Sequence, residues 1–154
     1  MSLSPGQIVP DFTRPLAGGG EVTLSALRGA PVVIFAYPRA DTPTCTREAC
    51  AFSDGLDDFA RRGAQVFGLS PDPVAANERF AANHGLGMPL ISDEDHTLLG
   101  EWGLWVEKKM YGRTFMGVER STLLIDTEGR LARLWPKVRV DGHVEEVLAA
   151  LDAL

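Results

Sequence analysis

The stretch Pro31-Val-Val-Ile-Phe-Ala-Tyr37 restricts the fold more than any other part of the chain. It is apolar, β-branched and aromatic without polar alternation, so both of its faces must be covered, as in the central strand of a layered α/β sheet. It is far too short to cross a bilayer. Gly29 precedes it and Pro38 ends it, because proline cannot donate to a strand ladder. The strand therefore delivers the chain into the loop from Pro38 to Cys45.

From Thr46 to Arg62, Ala49, Phe52, Leu56, Phe59 and Ala60 recur at helical spacing, and Gly63 supplies a stop. This places Cys45 at a helix N-terminus. Gln65–Leu69 reads as the next strand. Asp72-Pro73 then offers a capping side chain before a proline suited to a first helical turn, opening a helix to about His84. Met88–Ile91 reads as a short strand and His96–Trp102 as a short helix. Val118–Ile125 pairs with Arg130–Trp135 across Thr127-Glu-Gly129, and Asp141–Leu151 forms a terminal helix. Gly18-Gly-Gly20, before Val22-Thr23-Leu24, reads as a hairpin turn and not a phosphate cradle, since no lysine-bearing or dinucleotide glycine motif accompanies it. Alternating strands and helices ending in a hairpin and a helix predict an α/β fold with a central mixed β-sheet flanked by helices.

A chain of 154 residues, 45% hydrophobic, matches a single domain over residues 1–154. Its net charge of -6 offers no basic footprint for phosphates, which argues against nucleic acid and against an anionic membrane as partners. No basic start followed by an apolar run appears near Met1–Phe12, so the expected location is cytoplasmic. Two cysteines do not make a structural staple for a domain of this size.

The chemistry concentrates in Tyr37-Pro38-Arg39-Ala40-Asp41-Thr42-Pro43-Thr44-Cys45-Thr46-Arg47-Glu48-Ala49-Cys50. Free backbone N–H groups and the positive end of a helix dipole stabilise a thiolate, which makes Cys45 the candidate nucleophile. Thiolate attack on a peroxide also needs donors for oxygens that gain charge, and the Thr42 hydroxyl with the N–H groups of Thr44 and Cys45 is suitably placed. A guanidinium reaching Cys45 would stabilise both thiolate and transition state. Spacing alone does not choose among Arg39, Arg47 and Arg120. Ideal helix geometry sets the Cα atoms of Cys45 and Cys50 about 8.6 Å apart, beyond the roughly 7 Å that a disulfide spans. If the two join, the first turns of the helix must unwind, giving a reduced helical form and an oxidised, locally unfolded one.

Pro38, Thr42 and Cys45 match the Pro-x-x-x-Thr/Ser-x-x-Cys pattern of the peroxiredoxin family, which the chain resembles. Cys45-Thr-Arg-Glu-Ala-Cys50, Lys109–Gly112 and Gly117–Asp126 resemble its Q-type subgroup, the bacterioferritin comigratory proteins, and the likeness runs from Pro10 to Val147. The resemblance implies a thioredoxin-like fold and a peroxidase acting on hydrogen peroxide and organic hydroperoxides. It implies Cys45 as peroxidatic and Cys50 as resolving cysteine, joined as an intramolecular disulfide. It further implies Pro38 shielding Cys45 from water, Thr42 hydrogen-bonding the peroxide, Arg120 as the active-site arginine and Glu48 orienting it. Thioredoxin or a similar dithiol reductant as partner, no metal or organic cofactor, and a monomer are implied as well. Thr44 departs from the usual glycine and Leu123 from the usual phenylalanine.

Three other functions compete. A dithiol-disulfide oxidoreductase favours two intervening residues where this chain has four. A redox sensor would use oxidation of Cys45 to expose a partner-binding face. A binding module would use the apolar surface from Trp102 to Phe115, a cluster with Trp105 and Tyr111 that reads as core packing or surface loop. His84, His96 and His143 are scattered and read as solvent-facing or capping, not as metal ligands. Asp93-Glu-Asp95 reads as a solvated turn.

Overall fold

The computed structural model describes residues 2–154. Strands β1 (Thr13–Pro15) and β2 (Glu21–Thr23) form a small antiparallel hairpin, with the Gly18–Gly20 run in its turn as the sequence predicts. After a short 3-10 turn come β3 (Val32–Ala36), α1 (Pro43–Asp54), α2 (Leu56–Arg61), β4 (Gln65–Ser70), α3 (Val74–His84), β5 (Leu90–Ser92) and α4 (Thr97–Glu101). Then follow β6 (Trp105–Met110), β7 (Arg113–Val118), β8 (Ser121–Ile125), β9 (Leu131–Trp135) and α5 (His143–Asp152). The main sheet has the order β5-β4-β3-β8-β9, parallel between β3 and β4 and antiparallel between β3 and β8.

Strand β3 lies at the centre, and alternate residues serve opposite layers. Val32, Ile34 and Ala36 enter a core with Phe12, Leu98 and Trp102, whereas Val33, Phe35 and Tyr37 enter another with Phe52, Phe80 and Val147. This two-sided burial is what an unbroken apolar run requires. Phe35 stacks on Phe52 of α1 with ring centroids 4.5 Å apart, which fixes the helix over the strand that feeds it.

Several sequence expectations need correction. The helix expected over Thr46–Arg62 begins at Pro43 and breaks at Gly55. A Cβ at Gly55 would lie 3.2 Å from Val144 Cγ1, so α5 packs tightly against the break. Asp72 does not cap α3, since Pro73 occupies that position without a side-chain bond. The Asp72 carboxylate instead accepts the Ala40 N–H at 2.8 Å. Asp93 is buried and not solvated, accepting from Arg14 Nε at 3.0 Å and from the Leu99 N–H at 2.8 Å. His143 is also buried, bonded to Thr122 Oγ1 at 2.8 Å and packed edge-on against Phe52 and Trp135, and burial pushes its pKa down. Trp102–Phe115 is neither wholly core nor loop. Trp102 is buried, and β6 and β7 form a separate two-stranded ribbon turning at Tyr111-Gly112, both at positive φ.

Candidate active site

Helix α1 presents Cys45, Glu48, Ala49 and Phe52 inward, a stripe at helical spacing that faces the sheet. Three of the four suit a core. The fourth, Glu48, is 1% exposed and is the anomaly that marks the site. Its Oε1 accepts from Arg120 Nη1 at 2.7 Å, while Oε2 is buried with no partner among the described residues. Burial pushes the Glu48 carboxyl up to about 7, against the pull of Arg120.

Arg120 reaches this spot because of strand register. Ala36 of β3 opposes Ser121 of β8, so Arg120 sits just beyond the sheet beside the end of β3, where the loop to α1 begins. Its Nη2 donates to Cys45 Sγ at 3.3 Å. Of the three arginines that spacing leaves open, Arg39 is exposed and Arg47 pairs with Asp141 at 3.1 Å across the protein surface. Arg120 alone among them is bonded to the thiol, which gives Cys45 a charged hydrogen-bond donor.

Thr42 is the N-cap residue of α1, but its hydroxyl makes no cap bond and donates to the Arg39 carbonyl at 2.8 Å. With its proton directed there, the Thr42 oxygen is left as an acceptor, which corrects the expectation of a donor. The first backbone bond of α1 runs from the Thr46 N–H to the Thr42 carbonyl at 2.9 Å. The N–H groups of Thr44 and Cys45 precede it and have no helical acceptor. Pro38 is half-buried after Tyr37, whose hydroxyl donates to Asn77 Oδ1 at 2.6 Å and anchors the strand end.

Cys45 is 2% exposed and Cys50 half-buried, and both thiols are free. Cys50 lies off the inward stripe, in the wall of a groove between α1 and α5 that also includes Asp54, Asp58, Asp141 and Glu145. Lys108 of β6 lies within reach of the site's charges, and no sequence motif marks it. Burial lowers its pKa, with the Arg120 charge adding to that and the Cys45 charge opposing it, so it belongs to the electrostatic surroundings of the thiol. Nothing in its spacing shows this, because β6 approaches the site only in the folded ribbon.

A thiol poised by a guanidinium at the first turn of a helix, at the end of the central strand of a thioredoxin-like sheet, defines a thiol-based redox enzyme. The sequence pattern of the AhpC/TSA family matches residues 5–134. The chain is 42% identical to a putative peroxiredoxin bcp of Coxiella burnetii, over 98% of this chain and 100% of that one. It is 41% identical to peroxiredoxin Bcp of Bacillus subtilis, over 98% and 96%. Peroxiredoxin Q of Xanthomonas campestris superposes with a TM-score of 0.90 at 40% identity, covering 98% of this chain and 96% of that one. The chain belongs to the AhpC/TSA family, within it to the peroxiredoxins of the Bcp or Q type, and it is a thiol-dependent peroxidase.

Proposed function

We propose that Cys45 reduces hydrogen peroxide and organic hydroperoxides and that Cys50 resolves the product as an intramolecular disulfide. The contact of Arg120 Nη2 with Cys45 Sγ at 3.3 Å carries this reading, since it gives one of two thiols a cationic partner. The Cys45 thiolate attacks the terminal peroxide oxygen, the O–O bond breaks, and the alkoxide or hydroxide leaves and takes up a proton. Arg120 and the N–H groups of Thr44 and Cys45 stabilise the charge that passes between the oxygens, and the Thr42 oxygen accepts from the peroxide O–H. Pro38 covers the thiol, and Glu48 holds Arg120 in place. The sulfenic acid is then attacked by Cys50, releasing water and forming the disulfide.

Two electrons from a dithiol reductant such as thioredoxin restore both thiols. The similar bacterioferritin comigratory protein of Xanthomonas campestris has alkyl peroxide reduction activity, which supports organic hydroperoxides as substrates here. We place the enzyme in the cytoplasm, where dithiol reductants are maintained, and working as a monomer over a single domain.

The test is stopped-flow consumption of peroxide by pre-reduced protein, followed by thiol counting. Wild type should lose two thiols rapidly, Cys45→Ser none, and Cys50→Ser should stop at a sulfenic acid. Slow loss insensitive to Cys45→Ser would overturn the reading.

A further inference from the structure

We propose that Asp41, together with Asn83 and His84 at the end of α3, forms a latch that sets how fast the start of α1 opens after Cys45 is oxidised. The inference rests on the reading that Cys50 resolves Cys45, because two thiols five positions apart on α1 meet only if that helix unwinds.

The segment that must move runs from the loop after Pro38 to Cys50. Apart from the packing of Cys45 and Ala49 into the core, few polar contacts among the described residues tie it to elements that stay put. Arg120 holds Cys45 and Glu48 from inside. Arg47 pairs with Asp141, but the two side chains are 59% and 94% exposed and contribute little. The Thr42 hydroxyl bonds only within the loop. The remaining ties are Ala40 to Asp72 and Asp41 to α3.

The Asp41 tie uses both carboxylate oxygens. Oδ1 meets His84 Nε2 at 2.7 Å and Oδ2 accepts from Asn83 Nδ2 at 3.0 Å. The bonds from His84 and then Asn83 hold the carboxyl below its ordinary value, so the acceptor is an anion. The far side of the latch is rigid. The His84 ring packs edge-on to Phe80 at 5.6 Å, Phe80 packs on Tyr37 at 5.7 Å, and α3 is fixed to the sheet through buried Asn77. The near side is strained, since Asp41 has φ 62, in the left-handed region that a residue with a Cβ enters at a cost. Release of the carboxylate lets the backbone leave that region, so unlatching and unwinding favour each other. Asp41 and His84 are positioning residues for the conformational step and touch neither Cys45 nor Arg120.

The experiment separates two phases of tryptophan fluorescence after pre-reduced protein is mixed with peroxide. The first, second-order in peroxide and protein together, reports oxidation of Cys45. The second, independent of peroxide, reports disulfide formation, and acid quenching with mass analysis confirms the bond. In Asp41→Asn, Asn83→Ala and His84→Ala the second phase should quicken on the order of threefold with the first unchanged, the size expected for a partly exposed charged contact. His84→Gln, which keeps an N–H donor, should restore the slower wild-type phase. Combining Asp41→Asn with His84→Ala should add less than the sum of the two. Asparagine tolerates the positive φ of position 41, and the two α3 variants decide the matter alone if Asp41→Asn folds poorly. An unaltered second phase in the α3 variants overturns the latch while the peroxidase reading stands. Equal acceleration of both phases also overturns it, since the contact would then shape the oxidation site itself. A wild type that forms no Cys45–Cys50 disulfide overturns the resolving role of Cys50 and the latch together.

Discussion

The two faces of α1 treat the same side chain in opposite ways. Inward, Cys45 is 2% exposed and bonded to a guanidinium at 3.3 Å, beside a carboxylate that is itself 1% exposed. Outward, Cys50 lines an open groove whose other walls carry Asp54, Asp58, Asp141 and Glu145. The first face offers a thiol a cationic donor, and the second a groove lined by four acidic side chains and a single basic one, Arg47. The order of events follows from this difference. The thiol that must react with a dilute oxidant has a cationic partner, and the second thiol meets the sulfenic acid only when the helix unwinds.

The comparison breaks most severely if the inner cation is removed. Arg120→Met takes away the donor to Cys45 and should lower the second-order rate with peroxide about 10²–10³-fold. Thiolate absorbance at neutral pH should fall with it, and a rate within a few-fold of wild type would show that the dipole of α1 suffices. Glu48→Gln tests the other half of the pair through pH. The folded-state carboxyl is raised from 4.5 to about 7, so between those values the folded chain keeps a proton that the unfolded chain has lost. Stability from this group is present at low pH and declines as pH rises through that window, by on the order of 3 kcal/mol. His143, held neutral by burial, gives the opposite slope below its ordinary 6.5. The quantity to measure is therefore the difference between wild type and Glu48→Gln in denaturant midpoint from pH 4 to 8. A flat difference would show that the Glu48 carboxyl titrates alike in the folded and unfolded chain.

The inner face was largely legible in the sequence and the outer one was not. An apolar run ended by Pro38, followed by a cysteine at a helix start, is local information, and β3, Cys45 and the helix follow from it. The choice of Arg120 over Arg39 and Arg47 is not local, because it depends on Ala36 pairing with Ser121 across the sheet. The family resemblance supplied that choice where spacing did not. The β6–β7 ribbon was missed because its turn uses Tyr111 at φ 53 in a place where asparagine or glycine is the usual signal. Asp93 and His143 read as solvated or capping because short-range patterns do not reveal which polar residues acquire a buried partner. The Asp41 tie to α3 joins residues more than forty positions apart, and no motif announces it.

On the outer face the effects should be smaller. Gly55→Ala sets a methyl group 3.2 Å from Val144 Cγ1 and should cost about 1 kcal/mol of stability by crowding α1 against α5. The rate of Cys45 oxidation should stay within about twofold of wild type, since neither Gly55 nor Val144 bonds Cys45, Glu48 or Arg120. A tenfold loss would mean that the two faces are mechanically coupled.

The smallest effect tests whether the groove charges matter to Cys50 at all. Replacing Asp54 and Asp58 with asparagine removes two negative charges from the walls around that thiol while keeping side-chain size. At distances typical of a water-filled groove each charge contributes a fraction of a kcal/mol and is screened by salt. Disulfide formation in the double variant should therefore quicken about twofold at low ionic strength. The gain should vanish in molar salt, because screening removes the influence of the wall charges. Acceleration that persists in high salt would instead trace the effect to easier unwinding of α1, which places Asp54 and Asp58 among the residues that hold the helix and not among those that hold back its second thiol.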